Sequence, residues 1–266
     1  MFLVNMNEGR IVEDDEIKSS IIKKYPYSKW VKSNVLPLSK VPYRIKKTVK
    51  EKLNFETRLK VFGYTKEDFK TIILPMCNNG KEAIGSMGTD TPLAVLSKKP
   101  QLIYNYFKQL FAQVTNPPLD GIREEIITDT SLSLGSDYNI FDLIPDHAKK
   151  LKINNPIISN GDLEKIKHID HEDFKACSIN ANYEISKGHN GLEKALDNIV
   201  DKVEKKVDTG HNIIILSDRK TSKKYAPIPI LLVCSYVHHS LIKRKKRSKF
   251  GIVIESAEPR EPHHFS

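Results

Sequence analysis

Ser217, Asp218 and Arg219 follow directly on the apolar run at 213–216, and Glu255 follows a second such run at 251–254. A serine hydroxyl and an arginine fork at the ends of buried strands are equipped to grip a phosphate or carboxylate, with Asp218 orienting Arg219. The same side chains would equally make an ion pair that anchors a loop or a neighbouring domain. No nucleophile or general base accompanies them, so anchoring is the stronger expectation.

Other residues of chemical interest resolve into structural roles. Gly188-His189-Asn190-Gly191 precedes a helical pattern and could offer backbone amides to an anion, but it is neither a dinucleotide fingerprint nor a phosphate loop. Asn190, with Glu193 three residues on, reads instead as a capping box. His238-His239 and His263-His264 are adjacent pairs, whose side chains diverge by about 100° on a helix and face opposite ways on a strand, so neither pair alone makes a zinc site. Asn79-Gly80-Lys81 lacks the flanking residues that a phosphate-binding loop requires. The three cysteines, Cys77, Cys177 and Cys234, are too widely spaced for a ligand pair, and their odd number suits a reducing compartment. No metal or iron–sulfur site is legible.

The last third of the chain supplies a frame for these residues. Residues 174–179, 212–216 and 250–254 read as strands, and 227–242 as an apolar helix. Between the first two strands, 192–207 is an amphipathic helix with Leu192, Ala195, Leu196, Ile199, Val203 and Val207 on one face. This order predicts an α/β fold of βαβ units with a mostly parallel sheet and right-handed crossovers, either an open sheet or part of a barrel. Upstream lies a helical connector. A hairpin is expected from 1–6 and 10–12 across Asn7-Glu8-Gly9, then a charged helix at 13–24 and an extended stretch punctuated by Pro26, Pro37 and Pro42. Helices follow at 46–64 and 65–74, the second capped by Thr65 and Asp68.

The middle holds a distinctive pair of segments. Gly85, Gly88 and Pro92, with the short polar residues Ser86, Thr89, Asp90 and Thr91, predict a rigid loop. Pro100 then opens a helix whose apolar stripe is Leu102, Ile103, Tyr106, Phe107, Leu110, Phe111 and Val114. Pro117 and Pro118 stop it, leaving Thr115 and Asn116 at a stiff end.

The 266 residues allow one large domain or two small ones. The net charge of +10 invites a nucleic-acid reading, most strongly at the basic run 243–249. That run follows an apolar helix, whose C-terminus favours cations, and carries no interleaved aromatic platforms, so it reads as a solvated helix end. No apolar run approaches the ~20 residues that span a membrane. Asn5, Asn7, Glu8 and Arg10 interrupt the first apolar residues before a signal peptide could form. The expectation is a soluble intracellular protein, cytoplasmic, with no membrane or nucleic-acid partner.

The segments 86–97 (SMGTDTPLAVLS) and 104–125 (YNYFKQLFAQVTNPPLDGIREE) together resemble the large (alpha) subunit of glutamate synthase, in its central domain. Other stretches extend the likeness in the same order: MFLVNMNEGRIVEDDEI at 1–17, FGYTKED at 62–68, IIILSDR at 213–219, APIPIL at 226–231, VHHSL at 237–241 and GIVIESAEPREPHHF at 251–265. Thr89 stands where Asn or Asp is usual, Gly121 where Pro is usual, and Ile230 where Ser is common.

The resemblance implies that residues 1–45 are the junction leaving an amidotransferase domain, and that 46–266 are a central domain, incomplete at its C-terminus and similar to a divergent copy of the flavin domain. In such enzymes a cysteine nucleophile hydrolyses glutamine and ammonia travels through a tunnel. It adds to 2-oxoglutarate, and reduced FMN, fed by an iron–sulfur cluster, converts the imine to glutamate. By motif position Met87, Thr115 and Asn116 would line the ammonia path, with Asp90 and Arg123 holding its loops. The segment itself would carry no catalytic residue, cofactor or metal; its partners would be the amidotransferase and FMN-binding domains, and in some forms a small NAD(P)H-oxidising subunit. The alternative is a stand-alone module that binds a small anion at Ser217, Asp218 and Arg219.

Overall fold

The structure is a computed structural model that describes residues 1–43, 53–80, 93–107 and 119–265. Met87, Asp90, Thr115 and Asn116 lie outside the described residues.

Three parallel strands, Ala176–Asn180, Ile213–Ser217 and Gly251–Glu255, form the main sheet with Ile213–Ser217 in the middle. Helix Gly188–Asp208 joins the first strand to the second, and helix Ile230–Lys243 the second to the third. Strand order follows chain order and both helices pack on one face, as two crossovers of the same hand require. The sheet is open, and the described strands close no barrel.

Every residue of Ile213–Ser217 is buried, because each face of this strand has its own cover. Ile214 and Leu216 pack with Leu196, Ile199 and Val203 of one helix and Val233 and Val237 of the other. Ile213 and Ile215 join Leu151, Leu163, Ile166 and Phe174 on the opposite side. Two-sided burial is why the sequence shows an unbroken apolar run instead of alternation. Each such side chain contributes ~1.5–3 kcal/mol relative to exposure.

The second cover includes a small sheet in which Leu151–Ile153 runs parallel to Leu36–Pro37 and antiparallel to Leu132–Leu134. The stretch expected to be an extended connector is therefore partly built into the core. It also contains helix Tyr27–Asn34, which tolerates Pro26 because the proline sits just before its first turn, where no N–H is needed. Tyr25, Tyr27 and Trp30 stabilise this start with ring centroids 5.4–5.9 Å apart.

Several local expectations hold. Leu3–Asn5 pairs antiparallel with Arg10–Val12, with Gly9 at φ +62° in the turn. Thr65 Oγ1 accepts from Asp68 N at 3.0 Å and Asp68 Oδ2 accepts from Thr65 N at 2.8 Å, the expected capping box. The helix it opens runs on to Asn79, with a wider π-type turn at Phe69–Ile73 directly before Pro75, which lacks the N–H for a regular turn. Two expectations fail. Helix Gly188–Asp208 starts ahead of Asn190, so Asn190 and Glu193 lie inside it and no side chain caps it. Ile103–Tyr106 forms a 3-10 turn, and Tyr106 and Phe107 of the expected packing stripe are exposed, whereas Tyr104 is buried; Leu110, Phe111 and Val114 of that stripe, the expected rigid loop at 85–92 and the stop at Pro117 and Pro118 lie outside the described residues.

Candidate functional site

Register aligns Asn180, Ser217 and Glu255 as the last residues of the three strands. Glu255 gathers the polar groups around it. Its Oε2 accepts from Ser217 Oγ at 2.7 Å, and its Oε1 from Arg219 Nε at 2.6 Å and Lys167 Nζ at 2.9 Å. Lys167 is delivered by helix Asn160–Lys167, whose start is capped by Ser159 accepting from Asp162 N at 3.1 Å. Burial pushes the Glu255 carboxyl up, but the bonds from Lys167, Ser217 and Arg219 prevail and hold it below the usual carboxylate range.

Asp218 does not orient Arg219. Successive side chains on an extended backbone alternate in direction, so Ser217 and Arg219 share Glu255 while Asp218 turns away from them. Its Oδ2 accepts from Ser256 Oγ at 2.5 Å and from Ala257 N at 3.3 Å. Burial, with the charges of Glu258 and Glu255 nearby, raises its carboxyl to about 6 against the opposing pull of those two donors. Glu258, two residues beyond Ser256, accepts from Ile230 N at 2.7 Å and so tethers the start of helix Ile230–Lys243. Burial raises its carboxyl too.

The segment after Glu255 then collects residues from far upstream. Tyr64 Oη donates to Ala257 O at 2.7 Å, and the Arg260 guanidinium sits 4.1 Å from the centre of the Tyr64 ring. Arg260 Nη1 lies 3.8 Å from Asp68 Oδ2. His264 stacks on Tyr104 with centroids 4.2 Å apart, and His263 Nε2 donates to Tyr104 O at 3.2 Å. Gly63 adopts φ +68°, and a Cβ there would stand 3.2 Å from Leu102 Cδ2, so this junction selects glycine twice over. The His263-His264 pair thus serves packing and hydrogen bonding. The stretches 62–68, 102–104 and 256–264 form one block beyond the sheet's C-terminal edge.

Chemically the block is a brace. Arg219 and Lys167, the cations an anion would use, both hold Glu255. Ser217 is a donor to a carboxylate with no imidazole to activate it. Among the described residues no group of three His, Cys, Asp or Glu could hold a metal ion. A polar cavity of about 520 Å3 lies elsewhere, between Asn34, Lys149 and Asp173, beside residues that precede the first main strand.

Arg123 lies on helix Gly121–Ile127, exposed, with its Nε 3.4 Å from Asp120 Oδ2. Asp120 also caps that helix by accepting from Ile122 N at 3.1 Å and Arg123 N at 3.0 Å. Half of the basic run is engaged within the fold, while Lys243, Lys245 and Lys249 are exposed. Arg244 pairs with Asp201 and Glu204, Lys246 with Glu204 and Asp208, and Arg247 donates to His238 Nδ1 at 3.0 Å. Lys167, Tyr104 and Arg260 are the residues that sequence reasoning missed. Lys167 left a trace as a cation ending a helix, and Tyr104 and Arg260 lie within the family-like stretches 104–125 and 251–265, which mark them without assigning them a role.

The family model described as glutamate synthase central domain matches residues 57–266. The whole chain is 39% identical over 269 residues to "Glutamate synthase [NADPH] large chain" of Bacillus subtilis and covers 17% of that protein. It is 34% identical over its whole length to "Glutamate synthase [NADH]" of Schizosaccharomyces pombe and to "Ferredoxin-dependent glutamate synthase 2" of Synechocystis, covering 13% and 17% of them. The chain therefore spans about a sixth or less of the relatives it matches. On this match, and with its α/β sheet and bracing edge, the chain belongs to the glutamate synthase large-chain family, as the central domain.

Proposed function

We propose that this domain couples two reactions carried out elsewhere in a longer polypeptide: release of ammonia from glutamine, and reductive formation of glutamate from 2-oxoglutarate. The observation that carries this reading is the block beyond the sheet. It joins the family-like stretches 62–68 and 251–265 into one rigid unit whose polar groups serve one another. Such an edge holds a frame and offers no open nucleophile or base. The chemistry then belongs to an amidotransferase domain and an FMN domain with its iron–sulfur cluster, in the cytoplasm or a plastid. Residues 1–45 are the junction from the former and 46–266 the connecting domain.

Met87, Thr115 and Asn116 are proposed to line the ammonia path, with Asp90 and Arg123 steadying its loops. Their positions within the family-like stretches 86–97 and 104–125 support this assignment. In the complete enzyme, Thr115→Trp is expected to leave glutamine hydrolysis running while glutamate formation falls. Measuring both products per turnover checks this, and an unchanged ratio would overturn it. The domain alone is expected to show neither activity.

A further inference from the structure

We propose that residues 23–32 form a basic docking face for an acidic surface on another domain of the same large polypeptide. This rests on reading the chain as one domain of a longer chain. Of the 43 Lys and Arg, ten lie between Glu16 and Glu51, a stretch without a single Asp or Glu. The remaining 33 are matched by 33 Asp and Glu, so this stretch carries the whole formal net charge of +10. A surface built for solubility intersperses the two signs, whereas a segregated block of one sign is a device for recognition.

The fold leaves this charge free. Lys18 pairs with Asp14, but Lys23, Lys24, Lys29 and Lys32 are exposed and have no carboxylate partner among the described residues. Lys29 and Lys32 stand three apart on helix Tyr27–Asn34 and share a face. The turn Pro145–Ala148 packs against that helix and brings Asp146, but Lys149 holds it at 2.9 Å. Lys149 also holds Asp173, at 3.0 Å. Counting Glu172, near Ser33, against one lysine still leaves three charges uncompensated. Tyr25, Tyr27 and Trp30 are joined ring to ring at 5.4–5.9 Å between the lysines, so the face has a fixed support. A stiff support loses little conformational entropy on binding.

The rings and the number of charges select the occupant. Single-stranded nucleic acid needs open ring faces on which bases can stack. Here Tyr27 and Trp30 are half-buried, each ring meets the other two, and the Lys24 ammonium lies over the Tyr25 ring, 5.6 Å from its centre. Rings locked to one another are not free to insert into a bilayer. Without an inserted anchor, four exposed lysines attract an anionic membrane with a dissociation constant of only about 1 mM. A domain tethered in the same chain is presented at an effective concentration of about that size, so the same four charges suffice for it. The chain covers 13–17% of the relatives it matches, so most of their polypeptide lies elsewhere and can supply the acidic face.

The test is acylation of lysine amines in the complete large polypeptide, read residue by residue by mass spectrometry. At about 20 mM salt, Lys24, Lys29 and Lys32 are expected to react roughly fivefold or more slowly than Lys243 and Lys245, which are exposed in the same chain. At about 1 M salt, where charges act over only about 3 Å, the rates should converge. Lys29→Glu with Lys32→Glu, both at exposed positions, should free Lys24 even at low salt. Equal rates at low salt would overturn the proposal, and so would protection that salt does not change, which would mean plain burial. Protection lost on dilution would mean a second copy, and protection that needs added DNA, RNA or phosphatidylserine vesicles would mean a different partner; either sinks it. Slow acylation with an unchanged product ratio in Thr115→Trp would remove the coupling role and keep the docking face; fast acylation with Thr115→Trp uncoupled would do the reverse.

Discussion

Asp218 shows how one buried side chain sets a pH dependence. Its carboxyl stands near 6 in the fold against 3.8 for an exposed aspartate, because burial outweighs the donors Ser256 and Ala257. The folded state therefore binds the proton more tightly than the unfolded chain. This contribution is most favourable below about pH 4, falls as pH rises to about 6, and is flat above that. A shift of this size corresponds to roughly 3 kcal/mol of stability forgone at neutral pH. Asp218→Asn keeps an acceptor for both donors and carries no charge. It is expected to stabilise the protein by an amount that grows from pH 4 to pH 6, measured as the difference between the two urea midpoints across that range. A constant difference would refute the assignment. Taking the difference matters, because burial also depresses the His264 imidazole, which acts with the opposite sign.

Gly251 and Leu134 show how elements come to fit. Gly251 opens the third strand of the main sheet, and a Cβ there would lie 2.2 Å from Leu134 Cδ1 and 3.2 Å from Gly135 N. The small sheet reaches the large one only because that Cβ is missing. Gly251→Ala is expected to cost about 1–3 kcal/mol by overpacking. Combined with Leu134→Ala it should cost less than the sum of the two single changes, since the clash goes with the leucine. Chemical denaturation of the four proteins measures the coupling, and strict additivity would mean that the strand shifts instead. The other elements follow simpler rules. Helix Gly188–Asp208 buries the stripe read from spacing, with Leu196, Ile199, Val203 and Val207 against the sheet. Its start was misread because a capping box is a local pattern, and the chain instead enters through the 3-10 turn Ile185–Lys187.

At the scale of the molecule, the bond from Tyr64 to Ala257 spans 193 residues of sequence. It closes the connector onto the strand ends, and the Arg260 guanidinium over the same ring reinforces the closure. Tyr64→Phe is expected to cost about 0.5–1.5 kcal/mol, the net worth of one hydrogen bond, with the ring contact kept. Tyr64→Ala should cost about 2–5 kcal/mol, as expected for deleting a large packed side chain. Thermal unfolding of both variants checks the order; equal losses would assign the whole effect to the hydroxyl and none to the ring. The same long-range closure is consistent with the coupling role proposed above, in which a part lying between two sites holds them at a fixed separation.

The sequence by itself determined the βαβαβ order, the two-sided burial of the central strand, the Thr65–Asp68 cap and the family, because these depend on short-range periodicity, local hydrogen bonding or motifs in register. It also placed Ser217, Asp218, Arg219 and Glu255 at one edge. Only the tertiary structure decided what they do there. It turned Asp218 away from Arg219, brought Lys167 from a separate helix to Glu255, and laid Tyr64 and Tyr104 against Arg260 and His264. Such partners are chosen by packing between segments tens to hundreds of residues apart, and no local pattern carries that information.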